Sequence, residues 1–326
     1  MKPKIVVYKR IPQAVIEKLQ EFCEVVYFER LDDSNKDAFL HELKNAQGLL
    51  GSDLKVDHSL LEQAPHLKIV SNISVGYDNL DISELNKRNI MATNTPEVLN
   101  DTTADTIFGL LLSTARRFPE LDQYVKTGKW NGVVEEEQFG VDVHHKTLGI
   151  IGMGGIGSAI AKRANLGFDM NILYHNRSRN EEAEKLYNAT YCSLEELLVQ
   201  SDFVLLMTPL TPETAKLIGE KEFKLMKNTA FFINGSRGKT VDEAAMIKAL
   251  NNQEIAGAGL DVYTIEPVEK DNPLLSMKNV VTLPHIGSAT LETRTKMSFM
   301  AAFSLLEGLK GQRPSNLIND VVLKEI

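Results

Sequence analysis

Cysteine is scarce in this chain of 326 residues: only Cys23 and Cys192 occur, far apart and without metal-like spacing. That excludes a disulfide framework and a cysteine-based metal site, and the pair reads as reduced thiols of a cytosolic protein. Long apolar runs are missing too. No stretch approaches the roughly 20 residues needed to cross a bilayer. The run Ile5-Val6-Val7-Tyr8, close behind Met1, is too short for a secretory signal. A cytoplasmic protein without a membrane partner is expected. No long basic run exists either, and the formal net charge is -8. Nucleic acid and anionic membrane surfaces are therefore excluded as principal partners, although one local arginine still suffices for an anionic substrate. Repeats of solenoid period and low-complexity segments are also absent.

What is present is an ordinary globular composition, 43% hydrophobic and 25% charged, in a chain long enough for about two domains. Short apolar runs at Ile5–Tyr8, Val25–Phe28, Gly48–Gly51, Ile69–Ile73 and Ile90–Thr93 read as strands. Helical spacing fills the gaps, as in Val15–Phe22 and Ala38–Ala46. A long helical stretch is expected over Val98–Thr127, then a polar loop to His145 in which Glu135, Glu136 and Glu137 form a solvated face. A second series places strands at Leu148–Ile151, Asn171–Tyr174, Phe203–Met207, Ala230–Asn234, Gly257–Leu260 and Val280–Leu283, with a helical tail over Leu291–Leu309. Alternating strands and helices predict an α/β fold with parallel sheets.

The segment Leu148–Ile151 runs into Gly152-Met153-Gly154-Gly155-Ile156-Gly157, and a helical pattern begins at Ser158. This is Gly-x-Gly-x-x-Gly between a buried strand and a helix, the arrangement that cradles a dinucleotide pyrophosphate. Gly152 permits the tight turn, Gly154 the approach of the phosphates and Gly157 close packing of helix on strand, while the helix N-terminus offers N–H groups. A dinucleotide fold usually begins with this turn, so the residues ahead of it are expected to form a separate domain. About twenty residues on, where an NAD site usually carries Asp or Glu, the chain reads Tyr174-His175-Asn176-Arg177-Ser178-Arg179. Asn176, Arg177 and Ser178 supply donors that suit a 2′-phosphate, so NADP(H) is expected in preference to NAD(H), with NAD(H) remaining possible.

Three later segments lie near strand ends: Asn234-Gly235-Ser236-Arg237-Gly238, Asp261 to Pro267, and Pro284-His285-Ile286-Gly287-Ser288. Reduction of a 2-keto acid needs a cation for the carboxylate or carbonyl oxygen, and a proton donor that works near neutrality. Arg237 and His285 are those residue types, and Glu266 is a carboxylate able to orient the imidazole. Each alone is as ordinary as a surface charge. Their succession at strand ends beyond the fingerprint is what points to chemistry.

With Ser74-Val75-Gly76-Tyr77-Asp78, Pro209-Leu210-Thr211 and the segments above, the chain resembles the D-isomer-specific 2-hydroxyacid dehydrogenases over nearly its whole length. The runs Ile73–Asn79, Asp142–Gly154 and His285–Thr290 are similar to the bacterial glyoxylate/hydroxypyruvate reductases that also act as 2-ketogluconate reductases. The resemblance implies two Rossmann-like or flavodoxin-like domains with the active site in the cleft between them. Residues 1–100 plus 290–326 would form a discontinuous substrate domain, and 101–289 the dinucleotide-binding domain. It implies Arg237, Glu266 and His285 as the catalytic set, with Arg237 and His285 also holding substrate and the N–H groups of Val75 and Gly76 binding its carboxylate. Cofactor contacts would come from Thr103, Gly152, Gly154, Gly155, Ile156, Gly157, Asn176, Arg177, Ser178, Pro209, Thr214, Asp261 and Gly287. No metal is implied.

The resemblance further implies a homodimer built largely on the dinucleotide-binding domain. Trp130 is then either a packing aromatic at a helix end or a reach into a neighbouring subunit. His175 stands where NAD-using relatives carry an acid. Glu266 speaks against the formate dehydrogenase branch, and an end at Ile326 speaks against long-form phosphoglycerate dehydrogenases. The expected activity is NADPH-dependent reduction of glyoxylate, hydroxypyruvate or 2-ketogluconate to the D-2-hydroxy acid. An NAD-dependent phosphoglycerate or D-lactate type dehydrogenase is the alternative, followed by a dinucleotide-sensing corepressor-like protein.

Overall fold

The computed structural model describes Lys2 to Asn319; residues 320–326, the end of the expected substrate domain, lie outside the described residues. The chain divides into two compact units, one from the N-terminus to Leu99 and again from Ala289 onward, the other Asn100–Ser288.

The first unit opens with β1 (Lys4–Val7), α1 (Gln13–Phe22), β2 (Glu24–Tyr27), α2 (Lys36–Leu43), β3 (Gly48–Gly51), α3 (His58–Glu62), β4 (Ile69–Asn72), α4 (Ile82–Lys87) and β5 (Met91–Thr93). The sheet is wholly parallel, in the order β2-β1-β3-β4-β5. Its order reverses between β1 and β3, and β3 and β4 are buried along their whole length, as strands covered on both faces must be. Asp57 and Asp81 cap α3 and α4 by accepting from Leu60 N and Glu84 N.

The second unit begins with α5 (Asn100–Ala115) and α6 (Phe118–Lys126). The single helix expected over Val98–Thr127 is therefore two. Arg117 turns into the left-handed region at φ 58°, and Pro119 occupies the first turn of α6, where a proline cannot continue the preceding hydrogen-bond ladder. Then follow β6 (Thr147–Ile151), α7 (Gly155–Phe168), β7 (Asn171–His175), α8 (Glu181–Tyr187), β8 (Thr190–Tyr191), α9 (Leu194–Gln200) and β9 (Phe203–Leu206). The unit closes with α10 (Glu220–Leu225), β10 (Phe231–Asn234), α11 (Glu243–Asn251), β11 (Gly257–Leu260) and β12 (Val280–Thr282).

This second sheet is also parallel, ordered β12-β11-β10-β9-β6-β7-β8, with its reversal between β6 and β9. Successive strand residues point to opposite faces. Ile150 and Leu205 accordingly join Leu110 and Leu111 in one core, while Ile151 and Leu206 join Leu197 and Phe223 in the other.

After Ser288 the chain re-enters the first unit as α12 (Leu291–Leu309), capped by Thr290. Ser71 Oγ donates to Ala301 O at 2.7 Å, so α12 seals the β4 face. No helix among the described residues is long and apolar enough to cross a membrane.

Candidate functional site

The fingerprint turn leaves β6 at the reversal point of the second sheet. Gly152 has φ +104° and a Cβ there would stand 2.7 Å from the Met207 carbonyl carbon, so only glycine fits the turn. Gly157 is buried in the first turn of α7, its Cβ position 2.3 Å from Gly152 O. Gly154 and Gly155 are exposed and Ile156 is half-buried. A Cβ on Gly154 would meet nothing within 4 Å, whereas one on Gly155 would strike Asn100 Nδ2. The open face at Gly154, beside the first N–H groups of a 14-residue helix, fits a pyrophosphate. Asn180 braces the turn by donating to Met153 O at 3.0 Å and Ser158 Oγ at 3.2 Å.

At the end of β7, His175 stacks on Tyr191, its Nδ1 3.1 Å from Cys192 O. Arg177 and Ser178 are exposed and Asn176 half-buried. Arg179 forks onto Glu184, at 2.6 Å and 3.0 Å, and Tyr174 Oη donates to the same carboxylate. Arg179, next to the expected donors Asn176, Arg177 and Ser178, is thus committed to α8. Across from it, the loop after β9 is closed by Thr214 Oγ1, which donates to Pro209 O at 2.6 Å. Glu213 of that loop feels the charge of Arg177.

The segment after β10 is held by Asn234, 1% exposed, which accepts from Ser236 N at 3.0 Å and donates to Arg237 O at 3.1 Å. Ser236 Oγ donates to Thr208 O, and Arg237 Nη1 donates to Ser236 O at 3.0 Å. Gly238 lies flat against Tyr263, where a Cβ would stand 1.8 Å from the Tyr263 carbonyl carbon. That close approach sets the Arg237 segment beside the one that carries Glu266.

Glu266 uses both oxygens. Oε1 accepts from Tyr263 N at 2.9 Å, and Oε2 lies 2.7 Å from His285 Nδ1. Burial pushes its carboxyl up, but the His285 hydrogen bond, the Tyr263 N–H and the charges of His285 and Arg237 outweigh that effect. The group lies below the ordinary carboxylate range. The structure thus brings His285 and Glu266 into contact, with the charge of Arg237 acting on the pair.

His285 itself sits at φ +53°, uncommon for a side chain of this size. Its neighbours explain how that backbone persists. Asp261, 2% exposed, accepts from Ile286 N at 2.8 Å and from Gly287 N at 2.9 Å. Thr106 Oγ1 of α5 donates to Gly287 O at 3.2 Å, and buried Thr103 lies against Gly287. Burial raises the Asp261 carboxyl above its usual range despite those two N–H donors. The imidazole remains accessible, with 47% of the His285 side chain exposed.

Val75 and Gly76 belong to the first unit, in the loop after β4. Buried Asn72 donates from Nδ2 to Gly76 O at 2.9 Å. Thr106 and Asn180, two positioning residues, escape a reading of the sequence: they act through hydrogen bonds to residues far along the chain and lie in no motif. Asn234 lies within a segment that the sequence singles out, and its Asx-type bond to Ser236 N is the signal that marks it. Among the described residues, no group of three or more His, Cys, Asp or Glu is placed to hold a metal ion.

The sequence profile described as "D-isomer specific 2-hydroxyacid dehydrogenase, NAD binding domain" matches residues 108–287. A glyoxylate/hydroxypyruvate reductase B from Escherichia fergusonii is 48% identical over 324 residues, covering 99% of this chain and all of the relative. Among solved structures, a protein from Thermus thermophilus has a TM-score of 0.89 at 38% identity, covering 97% of this chain and 99% of its own. The NADPH-dependent glyoxylate/hydroxypyruvate reductase of Sinorhizobium meliloti, in complex with NADP and malonate, has a TM-score of 0.85 at 34% identity, covering 99% and 98%.

Proposed function

Since the chain belongs to the D-isomer specific 2-hydroxyacid dehydrogenase family, we propose that it reduces a small 2-keto acid to the D-2-hydroxy acid with NADPH. Glyoxylate, hydroxypyruvate and 2-ketogluconate are its substrates in this reading. The observation that carries it is the 2.7 Å contact of Glu266 Oε2 with His285 Nδ1, under the charge of Arg237.

A dinucleotide, when bound, supplies the hydride. The residues fit one: the Gly152–Gly157 turn and the start of α7 take the pyrophosphate. Pro209, Thr214, Thr103, Asp261 and Gly287 border the rest, and Asn176, Arg177 and Ser178 receive a 2′-phosphate. No carboxylate ends β7 where one would repel that phosphate, and the nearby Glu213 is countered by the charge of Arg177. NADPH, named with the Sinorhizobium meliloti relative, is the preferred cofactor here, and NADH a weaker one.

The guanidinium of Arg237 orients the substrate carboxylate and polarises the carbonyl oxygen, and N–H groups at Val75 and Gly76 hold the carboxylate. His285 donates Nδ1–H to Glu266, which fixes the ring and leaves Nε2 to deliver the proton that the reduced carbonyl oxygen requires. In oxidation the same atom accepts it. Glu266 stays ionised and favours the charged ring from which the proton departs. In this reading Asn100–Ser288 is the dinucleotide-binding unit and the remainder the substrate unit.

The protein works in the cytoplasm as a homodimer. Leu166 is exposed and lines an open groove of 620 Å³ together with Asp105, Phe108, Leu112 and Arg163. An apolar side chain exposed on such a groove supports an association surface there. Light scattering gives twice the chain mass if this is right. The decisive assay follows NADPH and NADH absorbance against glyoxylate, hydroxypyruvate, 2-ketogluconate and pyruvate. Turnover of the first three with NADPH is expected, and preference for NADH with a D-lactate or phosphoglycerate pair overturns the reading.

A further inference from the structure

The peptide joining Tyr263 to Thr264 is crowded. Gly238, next to Arg237, lies so close that a Cβ there would stand 2.3 Å from Thr264 N. Tyr263 N donates to Glu266 Oε1 at 2.9 Å. The Tyr263 ring is buried, and its Oη donates to Leu283 O at 3.1 Å, two residues before His285. The segments that carry Arg237, Glu266 and His285 therefore all lean on residues 263 and 264. A shift of that one peptide disturbs the three together.

The N–H of Thr264 is held from outside this group. It donates to Glu243 Oε2 at 3.1 Å. Glu243 is the first residue of α11, and its other oxygen accepts from Asn272 Nδ2 at 2.9 Å. One carboxylate thus clasps both ends of the loop 264–272, with Glu266 between them.

A carboxylate at the head of a helix is ordinarily a solvated partner of the helix dipole. Two observations set Glu243 apart. It is half-buried, and α11 is already capped by Asp242, which accepts from Ala245 N. Its two partners also dictate its chemistry. Thr264 N can only donate, and Asn272 must present its NH2 because Asn272 Oδ1 accepts from Leu274 N at 3.0 Å. Two donors call for two acceptor oxygens, which a carboxylate has and an amide lacks.

We propose that Glu243 is a positioning residue for the reduction: by clasping the loop it keeps the Tyr263–Thr264 peptide against Gly238, and so keeps Arg237, Glu266 and His285 in register. Small misplacements of reacting groups cost rate out of proportion to their size. The proposal rests on the 2-keto acid reading above.

Its test measures kcat and the KM values for hydroxypyruvate and NADPH, from acidic to neutral pH, in the protein and in three variants. Glu243→Gln turns an NH2 toward one of the two donors. Its kcat is expected to fall about tenfold, with the NADPH KM within about twofold of its original value. Burial raises the Glu266 carboxyl, while the His285 bond and then the Tyr263 N–H lower it, so the acidic limb of kcat moves up as that N–H loosens. Adding Asn272→Asp gives the new NH2 an acceptor and still caps Leu274 N. This double variant recovers kcat to within about threefold of the original. Glu243→Asp keeps the charge but draws the oxygens back by one methylene. It shows the same fall in kcat at constant NADPH KM, even if Glu243→Gln folds poorly. An unchanged kcat and acidic limb in Glu243→Asp, with only Tm lowered, overturns the positioning role and leaves 2-keto acid reduction standing. A loss of kcat matched by an equal loss of NADPH affinity does the same. No turnover of any 2-keto acid by the unsubstituted protein overturns both.

Discussion

Glu266 holds His285 by Nδ1 at 2.7 Å while its other oxygen is anchored on Tyr263 N at 2.9 Å, so the imidazole is oriented by a carboxylate that is itself fixed to backbone. A freely rotating carboxylate would lack that precision. The arrangement commits one ring nitrogen and frees the other.

Replacing His285 by Ala removes the proposed proton donor, and kcat is expected to fall about 100-fold or more. Dinucleotide binding, followed by fluorescence titration, remains near its original strength. Near-normal turnover would falsify the role of the histidine.

Glu266 titrates below the ordinary carboxylate value of 4.5, chiefly because the His285 hydrogen bond, the Tyr263 N–H and nearby positive charge outweigh its burial. As pH falls through that lowered value the carboxylate gains a proton and stops accepting from Nδ1. The acidic limb of the kcat profile contributed by Glu266 is therefore expected below pH 4.5. Glu266→Gln lacks this limb and is slower at all pH by about ten- to a hundredfold, the loss of one charge-assisted hydrogen bond.

Arg177 is exposed at the end of β7, in the turn that lacks an acidic residue. Arg177→Ala is predicted to lower kcat/KM for NADPH by about ten- to a hundredfold and to alter the NADH value far less. Parallel losses with both cofactors place the 2′-phosphate elsewhere.

In the first unit His58 bridges α3 and α4, with Nδ1 2.9 Å from Glu84 Oε1 and Nε2 3.1 Å from Glu62 Oε1. Lys87 and Arg88 complete the cluster around Glu84. The hydrogen bond to Glu84, then the charge of Glu62, raises the His58 pKa above 6.5; the bonds from His58 and Arg88 lower that of Glu84 to about 2. A raised histidine stabilises below its unfolded value and loses that contribution as pH rises through the folded one. A lowered carboxylate stabilises above its unfolded value, 4.5, and loses that as pH falls toward about 2. The Tm difference between the protein and His58→Gln is thus expected to be largest between pH 4.5 and 6.5 and to shrink on both sides. A difference that is flat with pH rejects the bridge.

Most strands could be read from the sequence because buried parallel strands are short, continuous apolar runs; Gly48–Gly51 and Gly257–Leu260 have the expected ends. The edge strand Thr190–Tyr191 could not, since two exposed residues make no run. The break at Arg117 was hidden by helical spacing that continues across it, although Pro119 was a visible stop signal. At the site, residue types and strand-end positions suggested Arg237, Glu266 and His285. What they could not suggest was the left-handed backbone of His285, or the double hold of Asp261 on Ile286 and Gly287, because both depend on groups 25 and 26 residues apart. The Glu243 clasp was equally silent, its partners being 21 and 29 residues away.

The return of α12 to the first unit has a consequence for biosynthesis. The strands that α12 covers leave the ribosome early, yet their cover is made only after Ala289, when the whole Asn100–Ser288 unit has been translated. At about 5–20 residues per second, the bare face near Ser71 and Gly48 waits on the order of 12–50 seconds for Leu305 and its neighbours. Through that interval the nascent chain presents an unfinished apolar surface, the kind of exposure that holding chaperones exist to shield.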